Sequence, residues 1–337
     1  MKQRIQTAPL LLAVLATIVI ATIAPSAANA NHQTRTHQAT LLAAGLAGGM
    51  GSTVGPGHKL YVAEPREGRI ARVDPSTGAV TTFAAGLPKQ IAAIGLGGVM
   101  DVDFVGHTAY ALVTLVGPDV GGGDTVGIYR VDGANSFTVV ADIGTWAVAH
   151  PPGTDFFVPS GVQYAMQRYR NGFLVTDGHH NRVLRVKDDG SISEFRTFGD
   201  IVPTGLAVRG KRVFMAEAGP IPHLPANGKI VSFGPTSPVS DVAAGGPLMV
   251  DVEFGRGGSL YGLAQGHWSD TDPGTPADPD TGQLLLAGCD GTFTLVADRL
   301  DRPTSLELIG DDAYVVTLDG EVWKIAGVPG HRRCCND

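Results

Sequence analysis

The chain has 337 residues and a formal charge of −7, with 46 glycines, 22 prolines and 7% aromatic residues. The acidic balance excludes a nucleic-acid partner, which needs basic surface to displace counterions. The glycine and proline content fits a turn-rich all-β chain better than a helical one, and single β domains commonly reach this length.

Residues 1–30 read as an export signal peptide. Lys2 and Arg4 give a charged start, 10–23 is apolar, and Ala28-Asn-Ala30 is a small-residue cleavage site. A membrane helix needs about 20 apolar residues, and Pro25 and Ser26 end this run early, so no span is expected in the mature chain. Cleavage near Ala30 implies a secreted, extracellular or periplasmic protein. The loss of Lys2 and Arg4 takes the charge from −7 to −9. No cysteine follows the cleavage site to carry a lipid.

From there the chain repeats one pattern. Alternating apolar runs predict a second strand at 59–64, 109–113, 173–177, 213–217, 259–264 and 313–317. Third strands follow at 69–73, 126–131, 182–186, 229–233, 283–286 and 321–325. Fourth strands follow five of these, at 80–84, 137–141, 192–197, 239–243 and 293–297. Inner strands precede, at 52–54 (weakly), 100–104, 162–165, 206–208, 250–254 and 306–309. The expected fold is an all-β six-bladed β-propeller over residues 31–328, with a cysteine-containing tail at 329–337. The last unit lacks a fourth strand. Ala39-Thr-Leu-Leu-Ala-Ala-Gly-Leu46 matches the fourth strands Thr81-Thr-Phe-Ala-Ala-Gly-Leu87 and Thr294-Leu-Val-Ala-Asp-Arg-Leu300. It is therefore predicted to complete the last blade and cover its edge.

Turns between third and fourth strands are short and Asp/Gly-rich, while insertions at 115–124, 144–160, 219–228 and 266–281 fall on the opposite face. A loop-rich face on a rigid scaffold is the expected seat of function, against drift in tolerant loops as the simpler reading.

These segments resemble known families. Leu174-Val-Thr-Asp177 with Asn181-Arg-Val183 is similar to an NHL-type repeat. The order of Leu60-Tyr-Val-Ala-Glu64, Gly97-Gly-Val-Met-Asp-Val-Asp-Phe104, 173–190, Val202-Pro-Thr-Gly-Leu-Ala-Val208 and Asp298-Arg-Leu-Asp-Arg-Pro-Thr304 resembles the ScyD/ScyE family of secreted bacterial propellers, over residues 39–327. That resemblance implies export, a propeller and a link to pigment and secondary-metabolite pathways, and it assigns no reaction. The Cys-rich end departs from the family habit.

Asp101, Asp251 and Glu307 occupy similar apolar-acid-apolar contexts in inner strands, with Gln163 as an amide counterpart. Inner strands border the axis, where converging carboxylates need a cation or protons between them. Their oxygens suit Ca²⁺ or another divalent cation, an arrangement similar to the axial metal of the SMP-30/gluconolactonase propellers, whose motifs are absent here. The simpler reading gives these acids backbone hydrogen bonds between blades or contact with channel water. Glu64, Asp177 and Glu217 end three second strands, either as a polar ring on the ligand face or as loop caps. His179, His180, His223 and His267 lie in loops of that face, as metal ligands or bases, or simply as exposed polar residues. Trp268 reads as an exposed contact residue. The acidic loop with Asp270, Asp272, Asp278 and Asp280 lacks EF-hand spacing. No nucleophile elbow, Walker loop or His-Glu-x-x-His occurs.

Of the cysteines, Cys289 sits in a turn facing the tail, so a bridge to Cys334 or Cys335 is expected; an adjacent pair or free thiols are the alternatives. The sequence thus predicts a monomeric, non-catalytic binder of a small molecule, glycan or protein, with a metal-dependent lactonase as the alternative.

Overall fold

The computed structural model describes residues 36–270 and 272–330. The expected signal peptide, Cys334 and Cys335 lie outside them. A lone strand, β1 (Ala39–Ala43), comes first. Blade 1 is β2 (Ser52–Gly55), β3 (Lys59–Glu64), β4 (Arg69–Val73) and β5 (Val80–Ala85). Blade 2 is β6 (Gly98–Val105), β7 (Thr108–Thr114), β8 (Gly127–Gly133) and β9 (Ser136–Asp142), and a short helix α1 (Ile143–Ala149) follows. Blade 3 is β10 (Gln163–Arg168), β11 (Gly172–Asp177), β12 (Arg182–Lys187) and β13 (Ile192–Thr197). Blade 4 is β14 (Pro203–Arg209), β15 (Arg212–Glu217), β16 (Lys229–Phe233) and β17 (Ser240–Ala244). Blade 5 is β18 (Met249–Phe254), β19 (Leu260–Ala264), β20 (Gly282–Ala287) and β21 (Phe293–Leu300). Blade 6 has β22 (Pro303–Ile309), β23 (Asp312–Thr317) and β24 (Val322–Ile325).

The sheets are six, each four-stranded, and the last has the order β1-β24-β23-β22. The fold is a six-bladed β-propeller. Its ring closes as the sequence predicts, with β1 antiparallel to β24 from Ala39↔Ile325 to Ala43↔Val322. Just before β1, the His37 amide donates to the Val296 carbonyl at 2.7 Å and ties the segment to blade 5 as well.

Each junction between neighbouring blades holds one apolar cluster, because every blade's two faces alternate apolar side chains against the next. Tyr61 against Phe104 (centroids 4.6 Å apart), Tyr110 against Phe173 and Phe214 against Phe254 (both 5.0 Å) recur at equivalent junctions. Three of the turns between third and fourth strands, in blades 1, 3 and 5, are tight Asx turns. Asp74, Asp189 and Asp290 each accept the amide two residues on, and Gly190 supplies the left-handed φ of 82° that its turn needs. The insertions emerge on the opposite face. Within one of them the sequence reading missed α1, whose signal is Asp142: its carboxylate caps the helix by accepting from the Thr145 amide at 2.8 Å.

Among the described residues no helix is long and apolar enough to cross a membrane. Cys289 is disulfide-bonded, as expected, though the choice between Cys334 and Cys335 falls outside the described residues.

Closure by β1 is testable. A chain starting at Leu46 loses the β1–β24 ladder and exposes the edge of β24. At about 0.5–1.5 kcal/mol per hydrogen bond, the loss is on the order of 3 kcal/mol. Calorimetry against a chain starting at Asn31 is expected to show Tm lower by about 6–12 °C. An unchanged Tm would mean that β1 adds nothing.

Candidate functional site

The acids that end the second strands are structural. Glu64 is fully buried. Its Oε1 accepts from the Ala47 amide at 2.6 Å and from Arg69 Nη2 at 2.8 Å, and Arg69 Nε also donates to Oε2. Asp177, also fully buried, accepts from the Val162 amide at 3.1 Å and from Arg182 Nε at 3.0 Å. In both blades the base is the acid's cross-strand partner on the third strand. Glu217 repeats the geometry with Lys229, but less well: Lys229 Nζ stands 3.9 Å from Oε2, which has no hydrogen bond. The segment that supplies the amide elsewhere here carries Pro203, which has none, and the Val202 amide is bound to Asn181. Burial then pushes the Glu217 carboxyl up to about 7. These three acids do not form a solvent-facing ring.

The loop histidines divide. His179 Nε2 accepts from the Phe157 and Val158 amides at 2.8 and 3.1 Å, and its neutral form is favoured by burial. His180 is buried rather than exposed. Its Nε2 bonds the Val158 carbonyl and its Nδ1 lies 2.9 Å from Arg182 Nη2. Both therefore pin the 144–160 insertion onto blade 3. His267 is exposed and faces Asp278 at 3.3 Å. Trp268, expected at the surface, is buried against Ala218, Leu248 and Ala277, with Nε1 donating to Thr275. It is a core residue under the long blade 5 loop. Its ring meets His223 edge-on at 5.2 Å. His223 Nδ1 bonds the Gly219 carbonyl at 2.7 Å and so carries the proton, leaving Nε2 as an acceptor. Burial lowers its pKa, so the ring is neutral.

His223 lines a feature that gathers loop residues and inner-strand acids together. A pocket of about 420 Å³ runs from the loop face into the axis. At its mouth are Leu96, Val202, Ala218, His223, Leu248 and Gln265; deeper are Asp101, Asp103, Asp251, Glu253 and Glu307. No lysine or arginine lines it.

The register arranges these acids in two tiers. Asp101, Asp251 and Ser305 pair with Leu112, Leu263 and Val316, each two residues past the strand tyrosine. Asp103, Glu253 and Glu307 pair with the tyrosines themselves, Tyr110, Tyr261 and Tyr314. Glu307 therefore belongs one step deeper than Asp101 and Asp251, and the match expected from local context is corrected. The offset along the chain differs: Asp101 lies 9 residues before Tyr110 and Asp251 lies 10 before Tyr261, whereas Glu307 lies 7 before Tyr314.

The upper tier bridges blades. Asp101 accepts from the Met166 amide of blade 3 at 2.7 Å, and Asp251 from the Leu306 amide of blade 6 at 2.8 Å. Their other oxygens take their own neighbours' amides, Val102 and Val252. Asp103 likewise takes Arg168 and Phe104. Glu253 binds only the Phe254 amide, at 3.1 Å, and Glu307 has no hydrogen-bond partner among the described residues. Burial is the main reason that all five carboxyls are pushed up: Asp103 to about 6, Asp251 to about 7, and Asp101, Glu253 and Glu307 well above the ordinary range. The charges of the other acids add to the effect at Asp101, Glu253 and Glu307.

Of the expected metal set, Asp101, Asp251 and Glu307 line the pocket and Gln163 does not. Gln163 lies at the start of β10 opposite Asp177, its amide bonded to Thr114 Oγ1 at 2.7 Å and to the Ser160 carbonyl, outside the pocket lining. Among the described residues no three His, Cys, Asp or Glu side chains are placed to hold a metal ion. The donors that fit a cation best are Glu253 and Glu307, which have oxygens to spare. Asp103 and Glu253 were legible as candidates: Asp101-Val-Asp103 and Asp251-Val-Glu253 alternate, so both acids of each pair share one strand face.

Solved structures share this architecture. A gluconolactonase from Xanthomonas campestris is 12% identical with a TM-score of 0.60, covering 87% of this chain and 90% of that one. A luciferin-regenerating enzyme is 12% identical with a TM-score of 0.58, covering 88% and 97%. The virginiamycin B lyase of Staphylococcus aureus is 14% identical with a TM-score of 0.51, covering 85% and 97%. At such identities the likeness is one of fold, and it includes the gluconolactonase-type propellers that the sequence distantly resembles. The sequence matches no protein-family model and no curated protein.

The carboxyls fix a pH dependence. Each has a folded pKa above its unfolded value, so the native state holds protons that the unfolded chain has released. Their favourable contribution is complete below about pH 4 and is lost as pH rises through the folded values, near 6 for Asp103 and 7 for Asp251. Thermal unfolding without ligand is expected to show Tm falling from pH 5 to pH 8. Glu217, moved from 4.5 to about 7, gives a single-site check. Glu217→Gln should restore about 3 kcal/mol at pH 8 and nearly nothing at pH 4. Equal effects at both pH values would refute this assignment.

Proposed function

We propose that the chain is an exported, non-catalytic binding propeller that admits a small molecule through its loop-rich face into the axial pocket. One observation carries the reading: a pocket of about 420 Å³, within the usual range of small-molecule sites, connects the elaborated loops to the strand carboxyls. Three of those carboxyls are already committed to backbone amides, which suits a rigid receptor wall better than acid–base turnover. Export rests on residues 1–30, and the resemblance to the ScyD/ScyE family supports a ligand from a secondary-metabolite or pigment pathway. The lactonase and lyase neighbours share the fold, and a fold does not carry a reaction with it.

Two measurements test this. A metabolite library screened by thermal shift should yield compounds that raise Tm of the wild type but not of Gln167→Trp, which fills the lumen from β10. A library with no such compound would count against the pocket. Glucono-δ-lactone with Ca²⁺ or Zn²⁺ should show no hydrolysis above the buffer rate. Turnover that disappears in Asp251→Asn would replace the receptor reading with a metal-dependent lactonase.

A further inference from the structure

The pocket's two ends differ in a way that restricts what fits it. Its deep half is lined by the carboxyls of blades 2, 5 and 6, with no lysine or arginine to neutralise them. Most of their oxygens are spent on backbone amides; Glu253 and Glu307 keep free acceptor capacity toward the lumen. His223, its ring kept neutral by burial, adds no positive charge at the mouth. Every group in the lining that can carry charge at neutral pH is thus acidic, and a positively charged ligand is its complement.

The mouth is apolar. Leu96, Val202, Ala218 and Leu248 line it. Beside them, large apolar side chains stand out to solvent: Ile94 next to the lining residue Leu96, and Ile221 and Leu224 on either side of His223, exposed by 40%, 47% and 52%. Exposed apolar surface continuous with a pocket marks an interaction site. Its position matters here, since an ion alone would use the deep half and leave the apolar rim without a role.

We propose that the ligand is an organic cation with an apolar body, an alkyl- or arylalkyl-amine, whose ammonium group reaches Glu253 and Glu307 while its body packs against the mouth and rim. This deepens the receptor reading and rests on it. An ammonium group brings positive charge and three donors to a wall of carboxyls, and offsets like charges that otherwise force protons onto that wall. Its attraction is strengthened by the low-dielectric surroundings of the channel. The apolar body adds burial, about 25 cal/mol for each Å² of surface removed from water.

The titratable groups facing the pocket are the five carboxyls, Tyr164 and His223. Burial raises Tyr164 to about 12 and lowers His223, while Asp103, near 6, and Asp251, near 7, lose their protons between pH 5 and pH 8. Amine binding should tighten over that interval, because the site gains negative charge while the amine stays protonated.

Three probes of one shape decide the matter by calorimetry on the mature chain: phenethylamine, 2-phenylethanol and phenylacetate. The amine is expected to bind at least about tenfold more tightly than the alcohol, and the acid not at all. The preference should grow from pH 5.5 to pH 8. Glu253→Gln with Glu307→Gln should reduce it by about tenfold or more, while Tm of that variant at pH 8 is no lower than the wild type's, since neither side chain bridges blades. Equal binding of amine and alcohol, or tighter binding of the acid, overturns the cation assignment and leaves the pocket a receptor. Binding of Ca²⁺ alone, with no amine bound at millimolar concentration, overturns it in favour of a metal ion. Absence of binding by all three probes overturns it too, whereas loss of the receptor reading itself is read independently from the library and the Gln167→Trp variant.

Discussion

Each blade leaves its inner strand as a sheet edge along the axis, and that edge carries amides with no partner inside the blade. Buried amides have to be paired. Side-chain oxygens from the preceding blade do much of this work: Asp101 for Met166, Asp103 for Arg168, Asp251 for Leu306, and Ser305 for Ser52. Hydroxyls continue the seam, with Thr176 donating to the Thr204 carbonyl at 2.7 Å and Thr204 to that of Met249 at 3.0 Å. The apolar clusters supply the area that holds neighbours together, but they are non-directional. The bonds along the seam set how far one blade is staggered against the next.

This division explains why the axis is acidic at all. An aspartate on an inner strand is long enough to reach the neighbouring strand's amide. A glutamate one tier down turns into the lumen instead, as Glu253 and Glu307 do. The three aspartates serve the frame in both tiers, and the two glutamates with spare oxygens lie level with Asp103 in the lower one, so a site with unpaired acceptors arises on a frame that needed acceptors anyway. Burial without a basic partner makes the charged form costly for each of them. The wall stores that cost in protons, and it is poised to exchange them for a positively charged guest.

Nearly all of the fold was legible. The alternation in 59–64 and 313–317, the Asp/Gly turns and the likeness of 39–46 to the fourth strands are local signals, and local signals carry β-strand period and turn type. The seam pattern was legible in part, since the simpler expectation for the inner-strand acids, hydrogen bonds between blades, is what Asp101 and Asp251 make. What misled was depth. Glu307 and Gln163 have local contexts like those of Asp101 and Asp251 but pair at other levels of their second strands, and pairing level leaves no mark on local context. Trp268 and His180 failed for a related reason: both lie in loops, and loop residues are exposed by default. Here the loops fold back on themselves, so that Trp268 roofs a small core of its own and His180 braces Arg182.

The strand that completes the ring also sets its mechanical character. Because β1 runs antiparallel to β24, the segment before Ala39 and the segment after Ile325 leave the sheet at the same end. A force drawing those two segments apart meets the ladder one pair at a time, as a zipper does, rather than loading all its bonds together in shear. The propeller is therefore weakest along the line joining its own ends and much stiffer across every other blade, where strands are linked by turns and no such peeling point exists.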